Sequence, residues 1–214
     1  MQGYVDSVAF DLRDDSLAKL SLIGVIFVAK NNIVQDKELL ALFKLGKRSA
    51  LYSYLAIIEM QTGLQYKLIR HSTAKQTTIT FQGLQQYDEV SNLMRYDLKE
   101  FLCVLKGCFT ISRLDIAFDS KEPFNLIEIA KNTNRTVVRK WNTYYFKTDK
   151  EKKQNRHLNI KHYFKKNVEL YRLEFVFLKR YFKCKENVKN RLEKIMRKAV
   201  NKPLKFQDEF YLIS

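Results

Sequence analysis

Two stretches of the 214-residue chain repeat one pattern, an arginine, a leucine and a carboxylate inside a strand-like apolar run. The first is Arg113-Leu114-Asp115 within Phe109 to Asp119, and the second is Arg172-Leu173-Glu174 within Leu170 to Leu178. Successive side chains of a strand point to opposite faces. Leu114, Ile116 and Phe118 therefore share one face, and Arg113, Asp115, Ala117 and Asp119 share the other. In the second run Leu173, Phe175 and Phe177 enter the core, while Arg172, Glu174 and Val176 stand on the polar side. If the two strands are neighbours, two acids and two arginines meet on one surface. Such a surface is either a functional site or a ladder of cross-strand ion pairs that only stabilises the sheet.

The remainder of the chain reads as α+β, with mainly antiparallel strands and helices packed on one face of the sheet. Alternation predicts strands over Tyr4 to Leu12, Thr136 to Phe146, Leu158 to Lys165 and Leu170 to Phe182, and a hairpin over Leu64 to His71 and Thr77 to Phe81. A wholly buried strand is expected over Leu20 to Ala29. Helices are expected over Lys37 to Leu45 behind an Asp36 cap, over Ser49 to Met60 with Leu51, Leu55 and Ile58 on one stripe, and from Asp88 to Gly107. Two more are expected, a short one with Pro123 in its first turn and Leu126, Ile127 and Ala130 along it, and a last one from about Glu186 to Val200. The linear division is a framework half, 1–108, and a second half, 109–214, that carries the polar strands. Lys147 to Arg156 reads as an exposed loop.

Charge separates the same halves. The chain carries 39 Lys+Arg against 23 Asp+Glu, a net +16. Residues 1–120 hold 14 basic and 13 acidic side chains, whereas residues 121–214 hold 25 and 10. A positive field so concentrated suits a polyanion, since each cation that meets a phosphate releases a condensed counterion. The basic residues lie among strands and aromatics and do not form one amphipathic helix or a terminal tail, which favours nucleic acid over a membrane surface. The longest apolar stretch is about half the roughly 20 residues of a membrane span. Cys103, Cys108 and Cys184 have neither metal-site spacing nor a disulfide framework, which suits a reducing, cytoplasmic setting.

Between the two acid-bearing strands, alternation over His157 to Lys165 places Asn159, Lys161, Tyr163 and Lys165 together. A free tyrosine has a pKa near 10, so a nucleophilic Tyr163 requires a neighbouring cation or base, and Lys161 and Lys165 are candidates. A metal held by Asp115 and Glu174 would polarise a phosphate under attack. Asp119 lies about 13 Å from Asp115 along an extended strand, too far to share an ion unless the chain bends. Trp141, Tyr144 and Tyr145 interleave with Arg139, Lys140 and Lys147, a composition suited to stacking on unpaired bases while cations follow the backbone. Arg113 and Arg172 either grip phosphate or hold the acids in place.

Four motifs in order give this chain a family likeness. They are Arg113-Leu114-Asp115-Ile116-Ala117-Phe118-Asp119, Thr143-Tyr144-Tyr145-Phe146, Tyr163-Phe164-Lys165 and Arg172-Leu173-Glu174. In this order they resemble the rolling-circle replication initiation factors of small plasmids and filamentous phages, the trans-acting Rep group, over about residues 109–182. The resemblance implies the fold of the nicking domain of rolling-circle initiators. It also implies a DNA strand transferase in which Tyr163 attacks a phosphodiester of a single-stranded or cruciform origin, leaving a 5′-phosphotyrosine and a free 3′ hydroxyl. Asp115, Glu174 and Asp119 would bind Mg²⁺ or Mn²⁺, and a host helicase and polymerase would be partners. Two other readings are a non-catalytic DNA-binding regulator or decayed initiator, and a metal-dependent nuclease that uses water.

Overall fold

The computed structural model describes residues 1–28, 52–71, 76–84, 89–148, 157–183, 187–200 and 203–213. The fold is α+β with a large antiparallel sheet. The chain divides into two compact units, one made of Met1–Ser7 and Arg113–Ser214, the other of Val8–Ser112. The first seven residues thus join the second half of the chain, where the linear division kept all of 1–108 together. The predicted helix Lys37 to Leu45, its Asp36 cap, Cys184 and most of the Lys147 to Arg156 loop lie outside the described residues.

In the Val8–Ser112 unit, strands β2 (Gly24–Val28), β3 (Tyr52–Met60), β4 (Gln65–His71) and β5 (Thr77–Gln82) lie in that order, followed by the later part of β1 (Gln2–Leu12). Helices α1 (Asp14–Leu20) and α2 (Glu89–Val104) complete it. The predicted β4–β5 hairpin is present, with Leu68 opposite Ile79. Its core is aromatic: Phe10 lies 4.9 Å from Phe101 and 4.7 Å from Phe109, ring centre to ring centre.

Two expectations fail in this unit. Of the helix expected over Ser49 to Met60, the described part, Tyr52–Met60, is instead strand β3, because pairing with β2 and β4 overrides the helical spacing read from Leu51, Leu55 and Ile58. Ala56, Ile58 and Met60 are buried at strand period, which the helical stripe concealed. The strand over Leu20 to Ala29 is the end of α1, a turn and then β2, whose Val25 and Phe27 are more than half exposed.

In the other unit, the start of β1 is followed by β6 (Phe109–Ser120), β10 (Leu170–Leu178), β9 (Leu158–Lys165), β8 (Thr143–Lys147) and β7 (Thr136–Lys140). β11 (Lys205–Phe206) runs parallel to the beginning of β1. Helices α3 (Leu126–Thr133), α4 (Val188–Met196) and α5 (Asp208–Ile213) accompany the sheet. Asn125 caps α3 and Asn187 caps α4, each side chain accepting an N–H three residues on. Gly3 is required by close approach, since a Cβ there would stand 2.6 Å from the Phe118 ring.

The run Thr136 to Phe146 is not one strand but the β7–β8 hairpin, turning at Trp141-Asn142. Trp141 takes φ 60°, a conformation in which a hairpin turn favours glycine, so the turn carried little local signal. β10 stops at Leu178, and a short 3₁₀ turn, Tyr181–Lys183, replaces the rest of the expected strand. α3 begins at Leu126, beyond Pro123, and α4 is shorter than expected. Among the described residues, no helix is long and apolar enough to cross a membrane.

The core side of this sheet carries Leu114, Ile116, Phe118, Leu173, Phe175, Phe177, Leu158 and Ile160, all buried. His162 sits among them. Its ring is stacked on Tyr171 at 5.8 Å and edge-on to Phe124 at 5.8 Å, and neither ring nitrogen has a hydrogen-bond partner among the described residues. Burial pushes its pKa below the ordinary 6.5, so the folded state holds the neutral ring. The unfolded chain binds the proton more readily. The contribution is therefore intact above about pH 6.5 and is lost as pH falls through the folded pKa. We expect denaturant midpoints to fall on acidification below about pH 6.5, and His162→Phe to flatten that fall. A variant whose midpoints track wild type at every pH contradicts the assignment.

Candidate active site

The register of four strands assembles the polar surface. β10 pairs antiparallel with β6, placing Arg172 opposite Asp119, Glu174 opposite Ala117 and Val176 opposite Asp115. On its other side β10 pairs with β9, placing Arg172 opposite Tyr163 and Glu174 opposite Lys161. β8 then sets Thr143 beside Tyr163 and Tyr145 beside Lys161. Two rows cross the sheet on one face. One runs Asp119, Arg172, Tyr163, Thr143, and the other runs Ala117, Glu174, Lys161, Tyr145. The small side chain of Ala117 leaves room between Asp115 and Asp119, where Glu174 faces it.

Arg172 is the centre of the first row and is only 3% exposed. Its Nε and Nη2 donate to the two oxygens of Asp119 at 2.8 and 2.9 Å, and Nη1 donates to Asp6 Oδ1 at 2.7 Å. Nη2 also donates to the Tyr4 hydroxyl at 2.9 Å, which itself donates to Asp119. Burial opposes the charge on the guanidinium, but the bonds to Asp119 and the nearby Asp6 outweigh it and raise the pKa further. One arginine on β10 thereby binds partners on β6 and β1.

Glu174, 3% exposed, is the centre of the second row. Its Oε1 takes the Lys161 ammonium at 2.7 Å, and its Oε2 accepts the Tyr163 hydroxyl at 3.1 Å. Burial, together with the negative charge of Glu174, raises the pKa of Tyr163, while Arg172 opposes the rise. The cation that favours the phenolate is therefore Arg172. Lys161 is bound to Glu174, with its nitrogen 5.7 Å from the Tyr163 ring centre. The Lys165 ammonium is pushed down by burial and then by the charge of Arg172.

Asp115 lies diagonally from Glu174 across the β6–β10 ladder, a separation of about 7–8 Å between Cα atoms for such a pair. Both its oxygens are held by Arg113, Nε to Oδ1 at 2.8 Å and Nη2 to Oδ2 at 2.6 Å, and Ser7 donates to Oδ2 at 3.0 Å. The donor chemistry fits a hard cation, since Asp115 and Glu174 offer carboxylate oxygens on one face. Magnesium commonly takes one or two protein carboxylates and completes its shell with water and substrate phosphate. Among the described residues no group of three or more His, Cys, Asp or Glu side chains gathers as a metal cage. Asp115, Asp119 and Glu174 are each held by a cation, Arg113, Arg172 and Lys161 in turn, and Asp119 differs in that its partner Arg172 is itself buried and also bound to Asp6.

Of the expected DNA contacts, Tyr145 lies in the row of Lys161, and Lys140, opposite Thr143, continues the row of Tyr163. Arg139 and Tyr144 belong to the opposite face, where the guanidinium sits 5.6 Å from the Tyr144 ring centre. Arg139 Nε also donates to the Trp141 carbonyl at 3.2 Å. Sequence reasoning overlooked Tyr4, Asp6 and Ser7. An acid at position 6 of a largely buried strand, with Tyr4 two residues before it, was the available signal.

Arg172→Met leaves the Asp6 and Asp119 charges without their guanidinium and should cost about 3–5 kcal/mol in urea unfolding. Combining it with Asp119→Asn should cost less than the sum of the two single changes. Strict additivity would contradict the network.

The chain matches no profile of a known protein family, and no curated protein matches it either.

Proposed function

We propose that the polar face of the sheet is the active site of a DNA strand transferase that nicks a replication origin by attack of Tyr163. The observation that carries this reading is the contact between Tyr163 Oη and Glu174 Oε2. It joins a hydroxyl nucleophile to a carboxylate able to accept its proton, beside a cation, on the more basic half of the chain. The ordered motifs that resemble the trans-acting Rep group support the same reading.

In the step itself, the Tyr163 proton passes to Glu174 as Oη attacks phosphorus. The Oη–P bond forms and the P–O3′ bond breaks, and the departing 3′ oxygen takes a proton from solvent. The enzyme keeps the 5′ phosphate on Tyr163, and the strand gains a 3′ hydroxyl that a polymerase can extend. Arg172 lies opposite Tyr163 and offsets negative charge as the phenol ionises. Lys161 holds Glu174 in place from its other oxygen. Asp115 and Glu174 would hold Mg²⁺ or Mn²⁺, which when bound supplies polarisation of the phosphate and charge relief at the leaving oxygen. Arg113 and Lys161 compete with it for the same oxygens.

One observation favours a second reading. Asp115, Asp119 and Glu174 each already have a cation partner. A stabilising ladder on a DNA-binding protein that does no chemistry would have that arrangement, with Tyr163 inert.

Labelled single-stranded oligonucleotides, including sequences from the chain's own replicon, incubated with Mn²⁺ and run on a denaturing gel, separate the readings. A covalent protein adduct in wild type that is absent from Tyr163→Phe is the expected result. Cleavage that leaves a free 5′ phosphate and no attached protein would instead indicate water as nucleophile. Tight DNA binding without cleavage or adduct, unchanged in Tyr163→Phe, would support the inert ladder.

A further inference from the structure

The β7–β8 hairpin ends in a feature that the chemistry above does not use. Trp141, the single tryptophan of the chain, stands at its tip, 85% exposed. Its φ of 60° is uncommon for a residue with a bulky side chain. The turn is held from below, because Arg139 Nε donates to the Trp141 carbonyl at 3.2 Å. All five residues of β7 are exposed, Val137 and Val138 among them.

The ladder locates this tip relative to Tyr163. Thr143 pairs with Tyr163 on one side and with Lys140 on the other, and Trp141 follows Lys140. The indole-bearing residue is therefore about two strand spacings, roughly 10 Å, from the tyrosine along the sheet. Lys140 and Lys147 on the same hairpin are exposed and have no ion pair among the described residues. An exposed aromatic plane next to the cation of Lys140, with Lys147 at the far end of the same hairpin opposite Thr136, complements a base attached to a phosphate backbone that runs along the hairpin.

We infer that the hairpin tip is a subsite for an unpaired nucleobase of a single strand, with Trp141 stacking on the base and Lys140 and Lys147 following its phosphates. The inference rests on the reading of this sheet as a DNA-processing surface and adds to it how the strand is gripped beside Tyr163. Stacking requires an unpaired base, so the subsite distinguishes a single strand from an intact duplex. It would engage an origin only where the two strands are already apart.

The lone tryptophan makes the test direct. Its emission, excited where tyrosine does not absorb, is read while an oligonucleotide of mixed sequence is added and binding is followed separately by anisotropy. Quenching that saturates together with single-strand binding, and is much weaker with the matched duplex, is expected. Trp141→Ala should weaken single-strand binding about ten-fold, within the range for loss of one base–aromatic stack, and Trp141→Phe should restore most of it. Emission unchanged at saturating single strand would overturn the inference, and so would equal quenching by duplex. A blue shift on anionic phospholipid vesicles, with no response to DNA, would overturn it in favour of a membrane surface.

The same titration on Tyr163→Phe separates the two proposals. Quenching that persists there supports the subsite whether or not wild type forms an adduct. Quenching that disappears would assign the signal to covalent linkage and overturn stacking. An enzyme that forms the adduct but shows no change in emission would retain the nicking reading and lose this one.

Discussion

The buried guanidinium of Arg172 is the interaction on which the polar surface depends. It stands on β10, binds both oxygens of Asp119 on β6 and reaches Asp6 and Tyr4 on β1. A charge so deeply buried is tolerable only when its donors are satisfied, and here Nε, Nη1 and Nη2 all have acceptors. The geometry aligns three strands at the row that contains Tyr163. Without it, two carboxylates would face each other across the sheet with nothing between them.

From that anchor the chemistry of the second row follows. Glu174 divides its oxygens between Lys161 and Tyr163, so the phenol starts as a proton donor to a carboxylate that is itself held. Burial and the Glu174 charge raise the pKa of Tyr163, which fits the proposed transfer of its proton to Glu174 during attack. Arg172 supplies the opposing field. The row is close to charge-balanced in itself, so the surplus positive charge of the second half of the chain lies outside it, where the proposed reading would use it on phosphates.

How much of this was legible in the sequence depends on the length scale of the signal. Strict alternation fixed the faces of β6, β9 and β10, because a one-residue error would have put Phe118 or Phe175 in water. Their adjacency stayed conditional in the sequence and comes from the register, which pairs β10 with β6 on one side and β9 on the other. β3 was misread because Leu51, Leu55 and Ile58 satisfy helical spacing, and only pairing with distant strands decides between the two periods. The β7–β8 turn was missed because Trp141 occupies a position where glycine would have announced it. Tyr4 and Asp6 were missed because their role exists only once β1 lies beside β6, a contact between residues more than a hundred positions apart.

Glu174→Gln decides whether this surface is a site or only a ladder. The amide keeps the shape and can still accept from Tyr163, but it removes the negative charge that accepts a proton. Stability in urea and adduct formation on a single-stranded origin oligonucleotide should be measured on the same preparation. A folded protein that forms no adduct is the expected outcome. A variant that is markedly destabilised yet forms adduct at the wild-type rate would contradict it and leave the row of charges as a purely structural ladder.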